Sequence, residues 1–147
     1  MTLATSPSPP VLCAGIGHPA YTETLPCEAA SARRARALVT TALSVWHLEA
    51  LTDAGALVVT ELIANCVRHT DCRAVRVTIT RTTPGRVRIA VTDKSTAEPV
   101  ARTAAGTDEH GRGLAVVAAL AEGAGTDTFT WGKRIWADLV ATPEAGC

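Results

Sequence analysis

The order of elements along this 147-residue chain predicts an α/β sandwich of the α+β class. Its sheet is expected to be mixed but mainly antiparallel, with about five strands, and covered on one face by three helices. Three observations carry this. Apolar residues recur at helical spacing through two long stretches before residue 70. The period then drops to two across Val75–Ile79 and Val87–Val91, on either side of a Thr83-Pro84-Gly85 turn. A third helical stretch and two more short strands follow, so the order is β-α-α-β-β-α-β-β.

The elements follow in chain order. Residues 1–17 are rich in Pro, Ser and Thr and are expected to form a flexible N-terminal arm, with the globular domain over 18–141 and a tail over 142–147. Tyr21 to Leu25 reads as a first strand closed by Pro26. Helix one runs from about Ala29 to Trp46, because Ala35, Leu38, Val39, Ala42 and Trp46 share one face. Asp53 is the expected cap of helix two. In that helix Val58, Val59, Leu62, Ile63, Cys66 and Val67 fill one broad arc at about 100° per residue. In the hairpin that follows, Val75, Val77 and Ile79 alternate with Arg76, Thr78 and Thr80, and Val87, Ile89 and Val91 with Arg88, Ala90 and Thr92, which gives one buried face. Helix three is expected from about Gly113 to Glu122, with Gly123 as its C-cap. Strands over Thr126–Thr130 and Arg134–Val140, turning at Gly132-Lys133, complete the sheet.

Composition narrows the function. Hydrophobic residues make up 47% of the chain, enough for a core, but aromatics are only 3%, so that core must be built from Ala, Val and Leu. The formal net charge is zero, which argues against recognition of nucleic acid or anionic membrane by bulk charge. The short Arg33-Arg34-x-Arg36 run reads as a solvated helix face. Five cysteines are an odd number and show neither a CxxC pair nor a metal-ligand spacing, which suits a reduced cytoplasmic protein. No stretch is expected to approach the ~20 apolar residues of a membrane span, and Pro9 to Cys13 lacks the leader of a lipoprotein signal.

The chemistry concentrates in three places. Glu61, Asn65 and His69 step by four along the border of the apolar arc of helix two, with Arg68 beside them. An acid, a neutral oxygen donor and cations at a core edge suit a magnesium–phosphate group, although such a column is also an ordinary solvated face. Asp93 ends a strand and could accept a hydrogen bond from an adenine amino group, or could simply cap a turn. Gly111-Arg112-Gly113-Leu114 opens helix three, where free N–H groups and glycine geometry admit a phosphate; a loop-to-helix junction needs the same glycines. Between them, Lys94 to His110 is long and polar and reads as a lid.

Together these motifs resemble the nucleotide-binding domain shared by bacterial histidine kinases, gyrase and the anti-sigma-factor serine kinases, the GHKL or Bergerat-type fold. The resemblance spans about Tyr21 to Val140. It is nearest the stand-alone anti-sigma regulatory branch, through Leu25-Pro26-Cys27-Glu28, Thr60 to His69, Val91-Thr92-Asp93, His110 to Leu114 and Gly132 to Ala137. It implies ATP and Mg2+ as cofactors. Asn65 then matches the magnesium ligand, Glu61 the general base, Arg68 and His69 basic positions near the phosphates, and Asp93 the acid that reads adenine. Gly111 and Gly113 match the phosphate-side glycines, with Arg112 and Leu114 beside them and Ser95 in the first glycine box.

One departure stands out. The family's first box is usually Asp-x-Gly-x-Gly, whereas this chain has Asp93-Lys94-Ser95-Thr96-Ala97. A left-handed Ser95 would cost roughly 1–2 kcal/mol. The Asp–adenine contact is worth about 1.5–3 kcal/mol, so ATP binding is expected to persist in weakened form. Two readings remain open. One is a serine/threonine kinase that phosphorylates an anti-sigma antagonist protein and sequesters a sigma factor, with self-association possible. The other is a non-catalytic nucleotide-sensing or protein-binding regulator. Neither involves direct contact with nucleic acid or a membrane.

Overall fold

A computed structural model describes residues 11–12, 18–69, 73–94 and 115–141. Strand β1 is Val11–Leu12, β2 Pro19–Pro26, β3 Ala74–Thr83, β4 Arg86–Asp93, β5 Gly123–Phe129 and β6 Gly132–Val140. Helix α1 is Ser31–Val45, and α2 is Thr52–His69, entered through a single 3-10 turn at Glu49–Leu51. A third helix, α3, is described over residues 115–120. The strands form one sheet in the order β1-β2-β3-β4-β6-β5, and every pairing among the described residues is antiparallel. The expected sandwich of five long strands is therefore present. Val11–Leu12, inside the expected arm, adds a short sixth strand against Pro19 and Ala20.

Alternation decides which face is buried. Val75, Val77 and Ile79 of β3, Val87, Ile89 and Val91 of β4, and Ile135, Ala137 and Leu139 of β6 all face the helices. Against them lie Ala35, Leu38, Val39, Ala42 and Leu43 of α1 and Val58, Val59, Leu62, Ile63 and Cys66 of α2, in one contiguous core. The two helices approach closely at Gly55, where an added Cβ would lie 3.0 Å from Val39 and 3.2 Å from Leu43. Ser31 ties the start of α1 to the end of β2, its hydroxyl donating to the Pro26 carbonyl at 2.6 Å.

The other face of the sheet is polar and carries two groups of paired charges. Arg88 donates to Asp138 from Nε at 2.7 Å and from Nη2 at 3.0 Å, Arg86 adds a third bond at 3.2 Å, and the Arg88 guanidinium stacks on Trp136 at 3.8 Å. Burial by itself would push the Asp138 carboxyl up; the Arg88 and Arg86 hydrogen bonds and charges outweigh it and hold it below the usual range. On the neighbouring strand pair Arg134 binds Asp127 at 2.7 Å, and that hydrogen bond is the main cause holding the Asp127 carboxyl down.

Four expectations need correcting. Asp53 does not cap α2 but lies inside its first turn, because the 3-10 turn runs straight into the helix. Gly123 is no C-cap: α3 stops at residue 120, and Gly123 already pairs with Asp138 as the first residue of β5. The last hairpin turns at Thr130 and Trp131, and Gly132 and Lys133 belong to β6. Finally, the helical stretch Glu49–His69 is long and apolar enough to cross a membrane by length and composition, with a mean hydropathy of 1.4. Its apolar arc is packed on α1 and the sheet, which accounts for that hydropathy.

Candidate functional site

Asn65 is the unusual residue of α2. The helix buries an apolar arc, and at the edge of that arc it also buries a carboxamide, only 3% exposed. Burying an amide costs free energy unless hydrogen bonds compensate, so its position is under strong constraint. Glu61, one turn earlier, and His69, one turn later, are half-buried, and Arg68 is exposed. The direction of this edge follows from the opposite flank. Thr60 accepts a hydrogen bond from Arg36 of α1 at 3.1 Å and donates to the Ala56 carbonyl at 2.8 Å, so the Thr60 flank faces α1. At 100° per residue, Asn65 and Glu61 lie on the flank turned away from α1. Since α2 packs over β4 and β6, that flank looks toward the β6 side of the sheet.

Asp93 is the second buried acceptor, 1% exposed at the last position of β4. It continues the helix-facing series of Val87, Ile89 and Val91, so its carboxylate lies on the same side of the sheet as α2. The register puts it on a rung that crosses five strands: Leu25, Val75, Asp93, Lys133 and Thr128. Only residues 70–73 separate the end of α2 from the start of β3, a span of at most about 18 Å. The column of Glu61, Asn65 and His69 therefore descends toward the end of the sheet where Asp93 sits. We take the acid and carboxamide of α2 as one wall, and the buried acid at the end of β4 as the floor, of a candidate cleft at this end of the sheet.

Gly132 holds this floor together. A Cβ at that position would collide with the Asp93 carbonyl oxygen and lie 2.9 Å from the Lys94 Cα. With φ at +158°, the backbone also has a conformation that side chains disfavour. Sequence reasoning assigned Gly132 to a turn. The signal it passed over is that a glycine opening a strand marks a close approach of another backbone. Lys133 and the Arg36–Thr60 tether were also missed, since both depend on register and packing. Ser95, Gly111, Arg112, Gly113 and Leu114 lie outside the described residues, as does the expected lid beyond Lys94.

The Arg33-Arg34-x-Arg36 run contributes nothing to the cleft. Arg34 pairs with Glu23 at 2.7 Å, Arg36 holds Thr60, and Arg33 is exposed. Residues Glu23, Arg33, Arg34 and Leu38 line a groove of about 410 Å³ on the outer side of α1, away from Asn65. Among the described residues no group of three or more His, Cys, Asp or Glu side chains is placed to hold a metal ion.

A family model described as the histidine kinase-like ATPase domain matches residues 25–133, well over half of the chain. The chain belongs to this family. No curated protein matches it. In the histidine kinase-like ATPase domain of this chain, the matched stretch opens at the end of β2 and closes at Lys133 on the Asp93 rung. It thus contains the α2 wall of the cleft and its floor. Membership makes the chain an ATP-binding regulatory domain.

Proposed function

We propose that this domain is an anti-sigma-factor-like serine/threonine kinase that uses Mg-ATP to phosphorylate a small antagonist protein and that, in the alternate state of its cycle, holds a sigma factor. The observation that carries the reading is the pairing of two buried acceptors, Asn65 on the free flank of α2 and Asp93 at the end of β4, with Glu61 one turn above Asn65. Asp93 accepts from the amino group of the base. The Asn65 carboxamide oxygen is a hard ligand of the kind magnesium takes singly, completing its shell with phosphate oxygens and water. Glu61 is half-buried on the same flank, and in this reading it is the base that takes the proton of a serine or threonine hydroxyl. Bound Mg-ATP supplies the transferable phosphoryl group and the charge neutralisation that phosphoryl transfer requires.

Incubation with labelled ATP, magnesium and the cognate antagonist tests this. Label is expected on a serine or threonine of the antagonist, and Glu61→Ala should slow transfer at least about a hundredfold, the usual range for a general base. Transfer that is absent, or unchanged in Glu61→Ala, rejects the kinase.

One observation favours a second reading. No glycine follows Asp93 before Ala97, so the segment beside the base lacks the backbone freedom of the usual first box. A domain that binds ATP through Asp93 and Asn65 but transfers no phosphate would act as a nucleotide sensor. Tight binding without turnover distinguishes it.

A further inference from the structure

We infer that Lys133 is a base-reading residue, and that with Asp93 it lets the cleft accept guanine as well as adenine nucleotides. The inference rests on the base lying at Asp93. Lys133 faces Asp93 directly across the β4–β6 ladder, on the same side of the sheet. Directly paired side chains on one face have Cβ atoms about 4.5–5.5 Å apart. Lys133 is half-buried and, among the described residues, its side chain makes no ion pair. One rung further in, Val91 faces Ile135 and both are buried. Polar recognition from β4 and β6 is thus confined to one carboxylate and one ammonium, side by side at the mouth of an apolar floor.

A carboxylate accepts and an ammonium donates. Adenine presents an amino donor at N6, which Asp93 takes, and its neutral N1 acceptor is served as well by water as by Lys133, so the lysine is dispensable for adenine. Guanine presents donors at N1 and N2 beside the O6 acceptor, so the same pair satisfies it with the base turned in its plane. A carboxylate alone would set the guanine O6 against a negative charge and leave it without a donor, and sites that leave a buried polar group unmatched reject a ligand strongly. Lys133 removes that penalty.

Calorimetry of the full chain with Mg-ATP and Mg-GTP decides the matter. GTP is expected to bind within about tenfold of ATP, and Lys133→Met should weaken GTP about tenfold more than ATP, as expected for one charge-assisted hydrogen bond. Lys133→Arg, which keeps the donor, should preserve the ratio. A lysine that merely attracts phosphate or supports the fold would move both nucleotides together. GTP binding more than tenfold weaker than ATP, or an equal loss of both in Lys133→Met, overturns the inference and leaves the ATP site standing. Failure of both nucleotides to bind the wild-type chain overturns the ATP site and this inference together.

Discussion

Recognition and packing meet in the backbone of Asp93, because Gly132 lies against its carbonyl. Gly132→Ala drives a methyl into that carbonyl, and since the clash is with backbone, no side-chain rotation relieves it. We expect a loss of about 1–3 kcal/mol in urea unfolding and weaker ATP binding, because the floor must move to admit the methyl. Normal stability and affinity in Gly132→Ala would show that the two backbones are further apart than described. A second residue-scale prediction concerns Asp138. Its carboxyl is held below its usual value of about 3.8 by Arg88 and Arg86. A depressed folded pKa means that the stabilisation is fully present above the unfolded pKa and disappears as pH falls through the folded one. Stability should therefore drop below about pH 4 in the wild type and drop less in Asp138→Asn, which at neutral pH loses about 1–2 kcal/mol after allowance for the half-exposed arginines. Acid titrations monitored by circular dichroism, run side by side, test the sign. At this scale the sequence was informative where chemistry is carried by type and spacing. Glu61, Asn65 and Asp93 could be named as candidates from residue type and spacing, whereas Gly132 and Lys133 become candidates only from which strand lies beside which.

Elements were readable in kind and less so at their ends. Helix α1 has the predicted face because Ala35, Leu38, Val39 and Ala42 recur at helical spacing. Strands β3 and β4 have theirs because the period is two. The misplaced ends share a cause. Asp53 and Gly123 are residues with strong local preferences, but the 3-10 turn before α2 and the pairing of Gly123 with Asp138 overrode them. The end of α1 shows the same competition with a measurable consequence. Leu48 N–H bonds the Leu43 carbonyl at 2.8 Å and His47 N–H bonds that of Ser44 at 3.1 Å, a Schellman closure with His47 at φ 60°. Glycine is the usual residue at this position, since a side chain in the left-handed region costs roughly 1–2 kcal/mol. His47→Gly is thus expected to stabilise the domain by up to about 1 kcal/mol, after the entropic cost of glycine in the unfolded chain is subtracted. A raised urea midpoint with unchanged slope would bear this out, and a lowered midpoint would mean that the imidazole makes contacts worth more than the strain.

For the whole molecule, the decisive fact is that the cleft has no local source. Its wall comes from α2, its floor from β4 and β6, and these are separated along the chain by β3 and by residues 94–131. The sheet order β4-β6-β5 brings them together, so only the docked sheet and helices possess the site. A ligand that binds the folded chain alone must then stabilise it by mass action, about 2.7 kcal/mol when present at 100 times its Kd. For a domain of this size that is a rise in Tm of about 5–11 °C. Saturating Mg-ATP should produce a shift of this order. Asp93→Asn, nearly isosteric, should keep most of the basal Tm and lose much of the shift, because a neutral carboxamide oxygen replaces the charged acceptor for the amino group of the base. Chelating magnesium with EDTA should reduce the shift in the wild type and have less effect in Asn65→Ala, since a metal held by that carboxamide no longer contributes once the carboxamide is gone. Equal sensitivity to EDTA in both proteins would remove Asn65 from the metal's shell. A Tm that ignores ATP altogether would mean that the two buried acceptors serve the fold alone.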